Sequence, residues 1–500
     1  MQTEHTTDEE RKPEERADRI KKLELIKELG MAPYASKYER THTITEARSL
    51  VVGTPNVRIA GRIILSRNMG KMGFCQLQDF SGKIQLVLKV GEVDQETYKN
   101  FFAILSIGDF VGVEGEIFTT QKGELSVLVK SFTFLSKALR ALPEKWHGLK
   151  DIETMYRKRY LDLITNKETF DRFKFRSDFI WELRKFYVEN GFLEIDTPVL
   201  SNTASGALAK PFTTHYNALD LDVYLRIAPE LFLKEAIVGG FDRIFEVARV
   251  FRNEGMDSSH LQEFTMIEHY AAYWDFEDNM RFTEKMLTEV IQKLKGNLVM
   301  QIYNKDEELV DVDFSGPWQR VSFRELLLQD CNIDIDAFPT AEDLREEIKK
   351  KGINIVDIEK LGRGNLIDSL YKKVSRPKLV KPVFLINHPL DLSPLARKND
   401  TNPLIVDRFQ LVINGWEILN AYSELIDPID QNERFDFQTK AKLGGDEDAM
   451  TKDDDYVEAM EYGMPPISGW GMGLERIVAL LTQQKNLRDV VMFPLLRPKD

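Results

Sequence analysis

Cysteine is scarce: the chain of 500 residues has two, Cys75 and Cys331, far apart and with no partner motif around either. That leaves no disulfide framework and no zinc site of recognisable spacing. An excess of positive charge is also missing, since 68 Lys and Arg against 81 Asp and Glu give a formal net charge of −13. A protein that coats nucleic acid is usually basic throughout, which argues against that class but still allows a polyanion met through a local basic patch. No apolar run approaches the roughly 20 residues of a membrane span. The N-terminal MQTEHTTDEE is acidic and has no apolar core, unlike a signal peptide. The expected setting is the cytoplasm, with no membrane partner. No GxGxxG follows a strand and no GxxxxGK[ST] loop occurs, which sets aside the common dinucleotide and triphosphate loops.

What is present is enough apolar material, 43%, for two or three domains or one large one with an appended module. Residues 1–55 read as an N-terminal tail and a basic amphipathic helix. The first 15 residues are polar enough to be disordered, and EERADRIKKLELIKEL, 14–29, spaces Ile20, Leu23, Ile26 and Leu29 along one helix face. Its Arg16, Arg19, Lys21, Lys22 and Lys27 are either a solvated face or a handle for RNA. Residues 56–140 hold five short strand-like runs with turn signals at Ser81–Gly82 and Lys122–Gly123. Five strands in that length fit a small closed barrel of the oligonucleotide-binding kind. On it Phe74 is a candidate stacking ring, Gln78, Gln85 and Glu124 are candidate base readers, and Arg62 and Arg67 candidate phosphate contacts. A charged linker, 141–165, follows. The remainder, 166–500, alternates helices with strands in an α+β, antiparallel pattern, with a helical insertion around 290–376.

Three segments of that larger part carry chemistry. In FRNEGMDSSHLQEFTMIEHY, Arg252 and Glu254 are two apart, as are Phe264, Met266, Glu268 and Tyr270, so two strands joined by a loop would put them on one surface. In GWEILNAYSELIDP, Asn420, Tyr422 and Glu424 alternate, with Glu417 three residues earlier. In PPISGWGMGLERIVALL, Gly471 and Gly473 run into a helix whose first turn holds Arg476, an unfavourable place for a cation unless an anion sits beside it.

Together these segments resemble the three signature motifs of class II aminoacyl-tRNA synthetases, and the lysyl-tRNA synthetases of bacterial type in particular. GFLEIDTPVL is similar to the first motif, FRNEG…HLQEFTMIE to the second and GMGLER to the third. PFTTHYNALDLDVYLRIAPELFLK, SPLARKNDTNP and AKLGGDEDAM…DDDYVEAMEYGMPP extend the likeness over most of the chain. The resemblance implies an N-terminal OB-fold barrel that binds the anticodon and a class II antiparallel-sheet catalytic domain. It implies ATP and Mg²⁺, L-lysine and tRNA(Lys), and a homodimer built through the first motif around Pro198. Arg252 would touch substrate carboxylate and α-phosphate, and His260 the terminal phosphates. Adenine would stack between Phe264 and Arg476, and Glu254 would complete the catalytic set. Glu424 and Tyr270 would meet the ε-ammonium, Glu230 and the Gly206 backbone the α-ammonium with Glu268 nearby, and Asn420 the carboxylate, with Tyr422 lining the same pocket. Glu417 would hold the metal. Gln410 stands where the family usually has a second metal-binding acid, and Ser259 and Leu261 replace a common Arg and Asn of the second motif. The rivals are a synthetase for aspartate or asparagine, opposed by Glu424 and Tyr270, and a non-catalytic RNA-binding paralogue, opposed by the retention of Arg252, Glu417 and Arg476.

Overall fold

The structure, a computed structural model, describes residues 8–143, 149–203, 206–207, 209–255, 257–304, 306–443 and 452–498. Parts of three sequence readings, the N-terminal tail at 1–7, the linker at 144–148 and the GGDEDAM stretch at 444–450, lie outside the described residues. The chain divides into two compact units, Met1–Lys150 and Asp151–Asp500.

In the first unit, β1 (Val57–Asn68), β2 (Met72–Gln78), β3 (Lys83–Lys89), β4 (Phe110–Thr119) and β5 (Leu125–Ser136) close a barrel in the order β1-β2-β3-β5-β4. The alternation read from the sequence points Ile59, Ile63, Leu77, Leu86, Val113 and Val127 inward, all fully buried. A helix missed in the sequence, Gln95–Ile104, plugs one end with Tyr98, Phe101 and Ile104 and is capped by Asp94.

The N-terminal helix Asp8–Glu28 starts inside the segment expected to be disordered. Glu, Arg and Lys are good helix formers, and here the acids lead. Part of its basic face is taken up within the unit, while Arg16, Lys21 and Lys27 stay exposed. Arg19 Nη1 donates to the Ile107 and Ala138 carbonyls at 3.0 and 3.1 Å, and Lys22 Nζ to the Leu105 carbonyl at 2.6 Å. Lys21 and Lys27 pair with Asp18 and Glu24 of the same helix. Arg19 and Lys22 thus dock the helix on the barrel, while Lys21 and Lys27 stay on its exposed side.

The second unit is organised on a mainly antiparallel sheet. Short helices Ile152–Arg157 and Arg159–Thr165 and the long helix Lys167–Glu189 precede it. Its strands are β6 (Leu193–Glu194), then, beyond a small separate sheet of β7 (Leu200–Ser201), β8 (Phe212–Tyr216) and β9 (Leu221–Leu225), β10 (Arg243–Phe251) and β11 (Glu263–Ala272). After a hairpin, β12 (Val299–Tyr303) and β13 (Leu309–Asp313), come β14 (Gln319–Ser322), β15 (Val383–Pro389), β16 (Ile405–Ile413), β17 (Trp416–Ser423) and β18 (Ile467–Gly473). The order is β14-β15-β16-β17-β18-β11-β10-β6, and only the pairs at the two edges are parallel. The insertion expected to be helical around 290–376 therefore opens as a β-ribbon. VMQIY and LVDVD alternate around a polar turn, and helices follow only from Phe323. One face of the sheet packs the core on the helices Lys167–Glu189 and Phe276–Lys295. There His269 lies fully buried between Tyr187 Oη and Asn279 Oδ1, both at 2.8 Å, and burial pulls it down to about 3, so it stays neutral. The opposite face carries the site. No helix among the described residues is long and apolar enough to cross a membrane.

Candidate active site

Strand register assembles the site row by row. Asn420 on β17, Gly471 on β18 and Glu268 on β11 are direct neighbours, with Gln410 beyond Asn420 on β16. The next row runs Arg408, Tyr422, Gly469, Tyr270. Paired residues project from the same face, so a strip of glycines lies between two rows of long polar side chains. The space above it is a cavity of about 320 Å³, lined among others by Glu230, Arg252, Phe264, Glu268, Tyr270 and Asn420.

Glu417 sits an odd three residues before Asn420, which in a regular strand would turn it to the core. A bulge, where Leu411 faces Leu419 but Val412 faces Glu417, restores it to the cavity side. Arg252 and Glu254 also line the cavity, though not as strand residues. Strand β10 ends at Phe251, and Arg252 holds on through its backbone N–H to the Gln262 carbonyl at 2.9 Å. Asp257 turns the loop by accepting from the Ser259 N–H at 2.6 Å and contacting His260 Nδ1 at 2.9 Å. Burial pushes the Asp257 carboxyl upward, but these partners hold it down at about 2.

At one end the cavity is acidic. Glu268 accepts from Tyr270 Oη at 2.8 Å, and Glu230 accepts from Tyr422 Oη at 2.8 Å. Burial and the neighbouring Glu230 raise Glu268 to about 8. Glu424, 1% exposed, lies behind the lining residues and pairs with Lys234 Nζ at 2.5 Å through Oε2. Its Oε1 has no hydrogen-bond donor and faces Gly469, where an added Cβ would come within 2.1 Å of it. Burial raises Glu424 well above the usual carboxylate range against the pull of Lys234. Gly206 closes this end with φ +91°, a left-handed conformation that lets its backbone lie against Glu230.

At the other end the cavity is cationic and aromatic. The Arg252 guanidinium lies 5.2 Å from the Phe264 ring centroid, and its buried Nε has no partner. Arg476 Nη1 donates to the Glu417 carbonyl at 2.8 Å, which holds this cation in the first turn of the helix Leu474–Leu481. Gly471 and Gly473 line the same stretch, and a Cβ at Gly473 would meet nothing within 4 Å.

The cavity thus brings together Gly206, Glu230, Arg252, Glu254, His260, Phe264, Glu268, Tyr270, Glu417, Asn420, Tyr422 and Arg476. Gln410 stands outside the lining, and its Nε2 donates to Glu417 Oε2 at 2.9 Å, so it orients that carboxylate. Two cations were missed. Arg408 donates through Nε to Asn420 Oδ1 at 2.7 Å and through Nη1 to the Leu392 carbonyl, fixing the loop 392–396 over the cavity. Its place two residues before Gln410 on an alternating strand was the available signal. Lys234 follows Glu230 by one helical turn, a spacing legible in PELFLKEAIV.

On the barrel, register aligns Phe74 with Arg67 and Val87, and Gln76 with Gln85 and Ser126. Gln85 Nε2 donates to Ser126 Oγ at 2.9 Å. Glu124 is exposed at the start of β5, and Arg67 is exposed on β1. Arg62 is occupied within the barrel, donating to the Gly108 carbonyl at 3.0 Å and stacking over Phe110 at 4.3 Å. It is not a free phosphate contact.

The comparisons agree with this geometry. The family of tRNA synthetases class II (D, K and N) matches residues 151–497, and an OB-fold nucleic acid binding domain matches 57–135. A lysine–tRNA ligase of Carboxydothermus hydrogenoformans is 44% identical over 486 residues, 96% of this chain and 98% of that protein. One of Lactococcus lactis is 45% identical over 488 residues, covering 96% and 97%, and one of Thermosipho africanus 42% over 491, covering 97% and 96%. The chain belongs to the class II tRNA synthetases of the aspartate, lysine and asparagine group, with an OB-fold domain ahead of the catalytic one.

Proposed function

We propose that the protein activates L-lysine with ATP, releasing pyrophosphate, and transfers it to the 3′ end of tRNA(Lys), releasing AMP. The observation that carries the choice among the three amino acids of the family is the acidic end of the cavity. Glu230 and Glu268 line it, Glu424 lies behind them, and Glu230 and Glu424 share the one ammonium of Lys234. Buried carboxylates are costly without a cationic partner, and an aspartate or asparagine side chain would bring none. The ε-ammonium sits against Glu424 and Tyr270, the α-ammonium against Glu230, Glu268 and the Gly206 backbone, and the carboxylate between Asn420 and Arg252.

The first step is in-line attack of the lysine carboxylate oxygen on the α-phosphorus, with the bond to pyrophosphate breaking. It needs alignment and charge neutralisation more than a protein nucleophile. Arg252 holds carboxylate and α-phosphate together. Phe264 and Arg476 take the adenine between them, with Glu254 on the same wall, and His260, in the loop between β10 and β11, reaches the terminal phosphates. Glu417 fits a Mg²⁺ site, since it is a cavity-lining carboxylate already oriented by Gln410, and Mg²⁺ commonly takes one or two carboxylates plus substrate phosphates. The ion, when bound, neutralises phosphate charge. In the second step the 3′-terminal ribose hydroxyl attacks the adenylate carbonyl.

The anticodon lies on the outer face of β2, β3 and β5, where Phe74 stacks a base and Gln85 and Glu124 read its neighbour, with Arg67 at the backbone. Two copies pair through the first motif around Pro198. There Leu193, Val199, Leu200, Tyr216, Leu219 and Leu221 are all exposed, an apolar surface of the kind that marks an interface. The test is transfer of labelled lysine to a tRNA(Lys) transcript and to the same transcript with its central anticodon base replaced. Charging of the first and strong loss with the second is expected. Equal charging of both would remove the barrel from recognition.

A further inference from the structure

Lys234 is a fully buried cation that the reaction does not use. It does not line the cavity, yet its Nζ lies 2.6 Å from Glu230 Oε1 and 2.5 Å from Glu424 Oε2. The ammonium is caged by three rings, Tyr270, Tyr422 and Tyr456, with centroids at 5.7, 5.7 and 5.8 Å. Carboxylates and aromatic faces are the surroundings a substrate ammonium requires. The protein therefore carries its own ammonium directly behind the site proposed for the ligand's.

Charge decides what it does there. Three carboxylates, Glu230, Glu268 and Glu424, meet at this end of the cavity, while Glu246 behind them is already paired with Arg226 at 2.7 Å. With Lys234 charged and the three acids ionised around a bound ligand, the set carries two net negative charges, and lysine brings two ammonium groups. Without it, three negative charges would face two positive ones in a buried space, where an unmatched charge is expensive.

We propose that Lys234 is a positioning residue that sets the charge of the amino-acid pocket. It clamps Glu230 and Glu424 and cancels one carboxylate, so that the pocket matches a ligand with two ammonium groups. This rests on the lysine reading of the cavity. The groups facing Lys234 are Glu230 on its own helix, Glu268 and Tyr270 on β11, Tyr422 and Glu424 at the end of β17, and Tyr456 on the helix Asp454–Glu461. Burial opposes its charge, but Glu230 and Glu424 outweigh burial and hold its pKa well above the ordinary lysine value. In the empty pocket burial holds Glu268 and Glu424 above the usual carboxylate range, and the protons they keep leave when the two ammonium groups enter.

The experiment compares full-length wild type, Lys234→Met and the charge-retaining Lys234→Arg in lysine-dependent ATP–pyrophosphate exchange. Calorimetric lysine titrations at pH 7.5, in buffers of different ionisation enthalpy, count the protons released. For Lys234→Met the KM for lysine rises roughly 30-fold, the scale for breaking a buried charge pair, with a smaller change in kcat. Lysine binding releases more protons from Lys234→Met than from wild type, and the charge-retaining Lys234→Arg stays closer to wild type in both readouts. A lysine KM and proton count equal to wild type in Lys234→Met overturn the proposal. So does a loss of stability and kcat that leaves both unchanged, the mark of a purely structural role. If Lys234→Met does not fold, Lys234→Arg decides: a lysine KM close to wild type supports a role for the charge, and a roughly 30-fold rise in the folded variant contradicts it. Wild type without lysine-dependent exchange would instead sink the lysine reading, and the charge match with it.

Discussion

A single methyl group at Gly469 tests the acidic end of the cavity without touching a charge. Gly469 faces Tyr270 across β11 and Tyr422 across β17. A Cβ there would stand 2.1 Å from Glu424 Oε1 and 2.5 Å from Tyr270 Cε1, where real contacts essentially never fall below 3.0 Å. One or both neighbours must retreat by up to ~1 Å, and neither is free to do so. Glu424 is clamped to Lys234, and Tyr270, 2% exposed, is bonded to Glu268. Overpacking of this kind costs ~1–3 kcal/mol, a Tm loss of several degrees in a unit this large. Displacing a substrate-binding group by ~1 Å costs ~100-fold in rate. Gly469→Ala is therefore expected to fold, melt a few degrees early and lose ~100-fold in kcat/KM for lysine, with the KM for ATP little changed. Gly473→Ala is the control, since its Cβ would meet no protein atom within 4 Å, and its Tm stays at the wild-type value. Melting curves and pyrophosphate exchange at varied lysine and varied ATP read both effects. A folded Gly469→Ala whose kcat/KM for lysine stays within ~3-fold of wild type would refute the placement of the ammonium beside Glu424.

Three further outcomes follow from the geometry. Gln410→Glu sets a second carboxylate 2.9 Å from Glu417 in place of an amide donor; a Mg²⁺ titration of exchange should show a lower half-saturating concentration and stronger activity at limiting Mg²⁺ than wild type. Glu268, raised to about 8 in the empty site, binds a proton there that the unfolded chain has lost above about 4.5. Its contribution to stability is thus present below pH 4.5 and falls away as pH rises towards 8. Glu268→Gln should therefore be more stable than wild type at pH 8 in melting experiments without lysine, yet bind lysine more weakly. Phe74→Ala should lower kcat/KM for tRNA charging by ~10-fold or more, the scale of one lost base stack, and leave pyrophosphate exchange untouched.

Much of this site was legible because strands alternate. EFTMIEHY divides cleanly into Phe264, Met266, Glu268 and Tyr270 towards the cavity and Thr265, Ile267 and His269 towards the core. The five barrel strands were legible for the same reason. What stayed hidden depends on contacts between segments. The bulge that brings Glu417 round to the cavity arises from cross-strand register, which a single strand's pattern does not encode. The same holds for Arg408, whose role comes from Asn420 on the next strand and the loop at Leu392. Lys234 reads as one more charge on an apolar helix until Glu424, distant in sequence, is folded against it. On the first helix the docking of Arg19 and Lys22 was hidden, because charge on a helix does not reveal which carbonyls of a neighbouring barrel will take it up. The ribbon at 299–313 was absorbed into the surrounding helices, since a five-residue alternation is short beside them.

The central claim, a cavity built for an amino acid with a second ammonium group, meets its most direct test in ATP–pyrophosphate exchange with the standard amino acids offered one at a time with Mg²⁺. Exchange with lysine alone is the predicted result. Exchange with aspartate or asparagine, or with none of them, would contradict it.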